Sequence, residues 1–182
     1  SLTKTEYPAV KVNFLTLANR KPYWDSVRKG AKSAMAIVKN TGKACRSTKF
    51  ALVGYSQGAS VMRWAIRDLP DSLKDRVALV GLVGDPERRG FNQSTPDIGR
   101  HVFFSSETLH GSGVFGAGPA LPRRRRSAVV VACHVKDDIC NRSGSVSNNS
   151  LETYHKKFYN SSTGASKVGA GFYVALSKNG FK

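Results

Sequence analysis

The chain has 182 residues and a formal net charge of +17, with 29 Lys and Arg against 12 Asp and Glu. Its hydrophobic content of 40% suffices for the core of one domain, and no apolar run reaches the length of a membrane span. The charge predicts attraction to anionic surfaces such as envelope polymers or anionic lipid, whereas a nucleic-acid role is not favoured because basic and aromatic residues are not interleaved.

Two elements are predicted in the N-terminal part. Ala9–Leu15 alternates apolar and polar side chains, as a strand does. In a doubly wound sheet this strand would normally pair with a preceding strand. Without that neighbour, its inner edge is expected to have no ladder partner. Asp25 or Ser26 can cap a helix whose apolar positions share one face and which is expected to end near Gly42.

The central feature is a tight turn between a strand and a helix. Lys49–Val53 predicts a strand covered on both faces, and the helical spacing that follows the turn stops at Pro70. The intervening Gly54–Gly58 has the pattern Gly-x-Ser-x-Gly, which makes Ser56 a candidate nucleophile and places the Gln57 backbone N–H toward an oxyanion. The alternative is that Ser56 only caps an ordinary helix.

Further strands and a closing helix complete an alternating pattern. Val77–Val83 and Ser127–Ala132 are apolar runs typical of buried strands, and His101–Phe104 predicts a shorter one. An apolar stripe over 168–176 predicts the last helix. The order of strands and helices predicts a parallel sheet flanked by helices, in a single domain that spans 1–182.

The stretch between residues 84 and 127 is rich in glycine and proline. It is expected to lie at the surface beside the active-site edge, where it either shapes an acyl pocket or forms a simple irregular connection. Its densest basic run is Arg123–Arg126, with Arg88, Arg89 and Arg100 nearby. These side chains are predicted to attach the protein to an anionic surface, the alternative being a solvated basic surface that aids solubility.

A serine nucleophile needs an acid and a base downstream, in the order Ser, Asp or Glu, His. Of the four histidines, His155 follows a plausible acid and begins a C-terminal helical region. Asp137 and Asp138 lie just after a predicted buried strand. Their carboxylates should therefore emerge at the edge of the sheet that carries Ser56.

The segment around these aspartates is bounded by two cysteines, Cys133 and Cys140. Together with His134 they could bind zinc, but a fourth ligand at suitable spacing is missing. A short disulfide is the alternative, and it would hold the loop so that the acid orients the histidine.

Four segments, together with His155, share a pattern across nearly the whole chain. They are Tyr7–Ala9, Cys45–Ala59, Gly84–Pro86 and Cys133–Cys140. In these segments the chain resembles the cutinase family of serine esterases, and more closely its actinobacterial and phage-encoded branch. The hexapeptide Gly-Tyr-Ser-Gln-Gly-Ala is much more specific than Gly-x-Ser-x-Gly alone.

The resemblance implies an α/β-hydrolase, cutinase-like three-layer fold with a central parallel sheet flanked by helices. It implies ester hydrolysis through an acyl-enzyme, with Ser56, Asp137 and His155 as the triad and the Gln57 N–H in the oxyanion hole. Expected substrates are cutin-like polyesters, lipid esters or mycolate-type envelope esters. No cofactor or metal is expected.

The resemblance also assigns the neighbouring carboxylates and cysteines. Asp138 is expected to be solvated, and Asp85 belongs to a structural turn, although it remains a less favoured candidate for the acid. Cys133 and Cys140 are expected to form a disulfide, which favours a secreted or extracellular protein, or one associated with a virion. Cys45 is then odd, and its counterpart in similar proteins bridges to a cysteine near the N-terminus.

The chain departs from the family ahead of Tyr7–Ala9. Family members there have a strand and a loop that ends in a small polar residue, which completes the oxyanion hole, and residues 1–6 do not match them. We therefore expect the natural chain to be longer by roughly 30 to 40 residues. The alternative to an enzyme is a cutinase-fold binding or structural domain of a phage particle or envelope protein.

Overall fold

A computed structural model describes residues 2–10, 17–91, 93–94, 96–104, 109, 111–142 and 147–180. The strands are β1 (Phe50–Tyr55), β2 (Val77–Val83), β3 (Arg100–Phe103) and β4 (Val129–Cys133). The α-helices are α1 (Lys21–Ala44), α2 (Gln57–Asp68), α3 (Asp71–Lys74) and α4 (Ser162–Lys178). Shorter helical segments are the 3₁₀ helices Arg123–Ala128 and Phe158–Asn160 and the π-helix Ser150–Lys157. Most of the strand predicted over Ala9–Leu15 lies outside the described residues.

The four strands form one parallel sheet in the order β1-β2-β4-β3. Alternate side chains of β2 point to opposite faces, so Val80 and Leu82 pack in the core that α1 and α2 share, while Leu79 packs against Ala175 of α4. Helix, sheet and helix are thus three layers, which confirms the predicted fold class. Within the described ranges, no helix is long and apolar enough to cross a membrane.

β1 differs from its prediction because only one of its faces is covered. Phe50 and Leu52 are buried, whereas Val53 and Tyr55 are 45% and 41% exposed. The cause is the position of α4, which packs on β2, β3 and β4. β1 is also one of the two edge strands of the described sheet. The prediction that both its faces are buried is wrong.

α1 begins earlier and ends later than its sequence pattern predicts. It ends at Ala44, close to the expected Gly42, and the guanidinium of Arg76, distant in sequence, stabilises this terminus. The guanidinium donates hydrogen bonds to the carbonyl oxygens of Gly42 at 3.0 Å, Cys45 at 2.6 Å and Thr48 at 2.8 Å. Of the three, the Gly42 carbonyl lies in the last turn of the helix, where no N–H of the helix can bond it.

A buried ionic cluster ties α2 to the segment that follows β2. Arg63 is fully buried and donates to the Asp85 carboxylate at 2.6 Å and to both oxygens of Asp97 at 2.7 Å. Glu87, 1% exposed, accepts from the indole N–H of Trp64 at 3.0 Å. The structure thus places Asp85 in an ion pair with Arg63, and its carboxylate makes no hydrogen bond to His155 in the described contacts.

The stretch between residues 84 and 127 contributes to the core. Val114, Phe115 and Leu121 are buried, and the ring of Phe115 lies 4.0 Å from that of Tyr23. Arg88, predicted at the basic surface, is fully buried and donates to the carbonyl of Cys140 at 2.6 Å. Its charge is therefore unavailable to an external partner.

Glu87 gives a prediction about stability and pH. Burial, reinforced by the nearby Asp85 carboxylate, raises the Glu87 pKa from 4.5 to about 7. Between these two values the folded protein binds a proton that the unfolded chain has released, so stability should fall as pH rises through this window. Glu87→Gln should remove that fall, which is on the order of 3 kcal/mol.

Urea unfolding at about pH 5 and pH 8 measures the effect, taken as the difference between variant and wild type. Glu152→Gln, at an exposed position, is the matched control and should keep the wild-type pH dependence. An unchanged pH dependence in Glu87→Gln would mean that Glu87 is ionised throughout this range.

Candidate active site

Ser56 lies in a strained turn between the end of β1 and the start of α2. Its backbone has φ 53° and ψ −125°, and it is the one non-glycine residue with positive φ in the described part of the chain. A methyl group at Gly54 would lie 2.0 Å from the carbonyl oxygen of Gly58, so the two segments can approach only if residue 54 is glycine. This explains the small residue two positions before the serine.

The structure brings the three predicted triad residues together. The Ser56 hydroxyl lies 2.8 Å from Nε2 of His155, and Nδ1 of His155 lies 2.9 Å from Oδ2 of Asp137. Asp137 is fully buried and His155 is 4% exposed. Because the carboxylate accepts the Nδ1–H, Nε2 carries the lone pair and can accept the serine proton.

Asp137 is held by donors that the sequence did not indicate. The Tyr159 hydroxyl donates to Oδ2 at 2.8 Å, and the backbone N–H of Ile139 donates to Oδ1 at 3.0 Å. Burial raises the pKa of Tyr159 well above its usual value, which keeps this hydroxyl a proton donor. Tyr159 lies four residues after His155, and this helical spacing was the signal in the sequence that could have identified Tyr159 as a neighbour of the site.

The loop that carries Asp137 is closed by the predicted disulfide between Cys133 and Cys140, which is confirmed. Both sulfurs are used, so zinc binding by these cysteines and His134 is excluded. Cys45 is exposed and unpaired among the described cysteines, and its hydrogen bond with Ser47 contributes most to lowering its pKa to about 7.

Asp138 is not simply solvated, contrary to prediction. Its N–H donates to the Ser150 hydroxyl at 2.7 Å, and its Oδ2 accepts from the N–H of Ser147 at 3.2 Å. These contacts anchor the acid loop to the start of the π-helix that carries His155. Asp138 therefore links the loop that carries Asp137 to the helix that carries His155, although it does not touch the imidazole in the described contacts.

The imidazole of His155 rests between Tyr55 and Gly84. The Tyr55 ring stacks on it at 5.1 Å, and its hydroxyl donates to the His155 carbonyl at 2.6 Å. A methyl group at Gly84, where φ is +57°, would lie 3.0 Å from Cε1 of the imidazole. Glycine at this position therefore leaves room for the ring and permits the positive φ.

A cleft of about 390 Å³ opens beside Ser56. Ala9, Val10 and Leu151 supply small apolar walls, and no described residue of the 84–127 stretch lines it. The Gln57 side-chain oxygen accepts from the N–H of Val10 at 2.9 Å, which holds the N-terminal segment against the turn. The Gln57 backbone N–H lies in the first turn of α2, where no preceding carbonyl of the helix can bond it.

The chain is similar to several known proteins in sequence and in fold. A family model described as Cutinase matches residues 2–168. Carboxylesterase Culp1 of Mycobacterium tuberculosis (strain ATCC 25618 / H37Rv) is 35% identical over 94 residues, which are 48% of this chain and 42% of that protein. The match thus spans less than half the length of this relative.

Two solved structures share the fold. An acetylxylan esterase superposes with a TM-score of 0.64 at 22% identity, covering 87% of this chain and 73% of the other. A cutinase-like protein from Cryptococcus sp. has a TM-score of 0.63 at 19% identity, covering 85% and 72%. At these identities the likeness shows the fold alone.

The strain at Ser56 can be measured without a substrate. Ser56→Gly and Ser56→Ala both remove the hydrogen bond to His155, but only glycine adopts the backbone conformation of this turn without strain. We expect Ser56→Gly to be more stable than Ser56→Ala by about 1 kcal/mol in urea unfolding. Equal stability, or a more stable alanine variant, would show that the turn is not strained.

Proposed function

The chain belongs to the cutinase family, and on that premise we propose that it is a carboxylic ester hydrolase that works through a serine nucleophile. The observation that supports this most directly is the continuous hydrogen-bond chain from Ser56 through His155 to Asp137, at 2.8 and 2.9 Å. Such a chain, ending on a half-buried serine in a strained turn, is the arrangement that activates a hydroxyl for acyl transfer.

In the proposed reaction, Oγ of Ser56 attacks the ester carbonyl while Nε2 of His155 takes the serine proton. The imidazolium returns this proton to the leaving alcohol, and an acyl-enzyme remains on Ser56. Water then attacks the acyl group, with His155 again as the base, and releases the acid. Asp137 stabilises the imidazolium, and the Gln57 N–H donates to the oxyanion.

The proposed substrates are carboxylic esters whose carbonyl group reaches Ser56 through the cleft beside it. Ala9, Val10 and Leu151 form apolar walls around a volume of about 390 Å³. Cutin-like polyesters, lipid esters and mycolate-type envelope esters all carry the required carbonyl, and the names of the relatives point to carboxylic esters. The disulfide in the acid loop favours an oxidising, extracellular location.

The net charge of +17 supports attraction to an anionic envelope surface that presents the ester. The same charge favours a second candidate function, a binding or structural domain of an envelope protein or a phage particle with little catalysis. The two functions differ in whether Ser56 turns over a substrate.

Hydrolysis of p-nitrophenyl butyrate tests the proposal. We expect Ser56→Ala to lower kcat/KM by roughly a thousandfold or more, because the nucleophile is lost. Ser72→Ala, at an exposed serine of α3, is the control and should retain the wild-type rate. Equal rates for wild type and Ser56→Ala would overturn the catalytic proposal and favour the binding role.

A further inference from the structure

A second cleft, of about 580 Å³, lies away from the active site. We call it the basic cleft and define it by its five cationic side chains, Arg100, Arg123, Arg124, Arg126 and Lys178. Its other described lining residues are neutral. The basic run noticed in the sequence is therefore joined in space by a strand residue and by the end of α4.

Most of this charge is uncompensated. Arg124 pairs with Asp71 at 2.9 Å and with Asp75 at 3.1 Å, at the side of α3. The other four cations make no hydrogen bond or ion pair with the described part of the chain. Like charges held close together repel each other, so a bound anion would relieve a cost that the folded protein otherwise carries.

The fold holds the walls of the basic cleft in place. The 3₁₀ helix that carries three of the arginines is anchored by Arg125, whose guanidinium donates to the Val77 carbonyl, and by Ser127, whose hydroxyl donates to the Asn179 side chain at 2.9 Å. Gly99 brings the start of β3 so close to β4 that a methyl group there would lie 2.5 Å from the Val129 carbonyl oxygen.

The basic cleft and the active site lie at opposite ends of the sheet. Arg100 begins β3 and Ser127 precedes β4, whereas Ser56 and Asp137 follow the ends of β1 and β4. Because the strands are parallel, the two sites are separated by the length of a strand, roughly 20 Å. A partner in the basic cleft would thus leave the cleft beside Ser56 open.

We propose that the basic cleft binds the phosphate groups of a linear, phosphate-bearing polymer that carries no nucleobases. Four of its five cations are arginines, whose planar guanidinium groups bind phosphate oxygens in pairs. Its described lining includes no aromatic side chain on which nucleobases could stack. A concave site fits groups along a chain better than it fits the flat surface of a bilayer. This inference rests on the proposed attraction to an anionic surface and makes it specific.

The test measures binding of fluorescently labelled sodium polyphosphate to the full chain by anisotropy, at low and high salt. Arg100→Gln combined with Arg126→Gln removes two charges from the basic cleft. Lys32→Gln combined with Lys39→Gln removes two charges from exposed positions of α1, on the other face of the sheet. We expect the cleft pair to weaken binding by about tenfold at low salt, and the α1 pair by about twofold.

Equal weakening by the two pairs of substitutions would overturn binding in the basic cleft and leave only general charge attraction. Absence of polyphosphate binding by the wild type at low salt would overturn both binding in the basic cleft and general charge attraction. Cleft-dependent binding that is tighter to phosphatidylglycerol vesicles or to oligothymidylate than to polyphosphate would also overturn the proposed polymer, in favour of a bilayer or nucleic acid.

Two readouts separate this inference from the esterase proposal. Both double variants should hydrolyse p-nitrophenyl butyrate at the wild-type rate, since none of the four residues touches the active site. Polyphosphate should also raise the melting temperature of the wild type and of the α1 pair more than that of the cleft pair. An equal rise in all three proteins would contradict binding in the basic cleft.

Discussion

The backbone conformation of Ser56 is the constraint on which the site depends. The turn is fixed from both sides, because the Ser56 N–H donates to the Val83 carbonyl of the neighbouring strand at 2.9 Å and the Ser56 carbonyl accepts from Ala59 at 2.8 Å. The hydroxyl then projects beyond the carboxyl end of β1. Every other feature of the site is positioned relative to that point.

The acid and the base reach Ser56 from a different part of the chain, and separate contacts hold each of them. The disulfide closes the loop around Asp137, and the Tyr159 hydroxyl binds its carboxylate. Tyr55 and Gly84 together define the space for the imidazole of His155. Since these contacts exist before any substrate binds, the triad is preorganised, and little reorganisation is needed when charge develops.

Local patterns in the sequence predicted the features that depend on residues close together in the chain. Val77–Val83 is apolar throughout and forms β2 with those bounds, because a central parallel strand is buried on both faces. The turn at Ser56 was predicted from the glycines two positions before and after the serine, which are also neighbours in the sequence. The resemblance to a known family, and not periodicity, singled out Asp137 from its neighbour Asp138.

Features that depend on distant partners could not be predicted in this way. The end of α1 is stabilised by Arg76, which no pattern within the helix reveals. Arg88 looked like part of a basic surface, yet the fold buries it against the acid loop. The exposure of β1 likewise follows from where α4 packs. In each case tertiary contacts override the local pattern.

The fold places the cationic side chains of the protein in two environments, one buried and one exposed. Arg63 and Arg88 are buried and serve the interior, whereas the basic cleft collects exposed charges at the end of the sheet opposite Ser56. One end of the sheet thus carries the proposed active site, and the other carries the charge that would bind a polyanion. A surface-attached enzyme gains from this separation, because attachment does not obstruct its cleft.

The central claim is that the fold activates Ser56 as a nucleophile. Reaction of the protein with a fluorophosphonate, followed by intact-mass measurement and peptide mapping, tests it most directly because the reagent labels only activated hydroxyls. We expect a single adduct on Ser56 that is lost in His155→Ala. Absence of an adduct, or labelling that persists without His155, would contradict it.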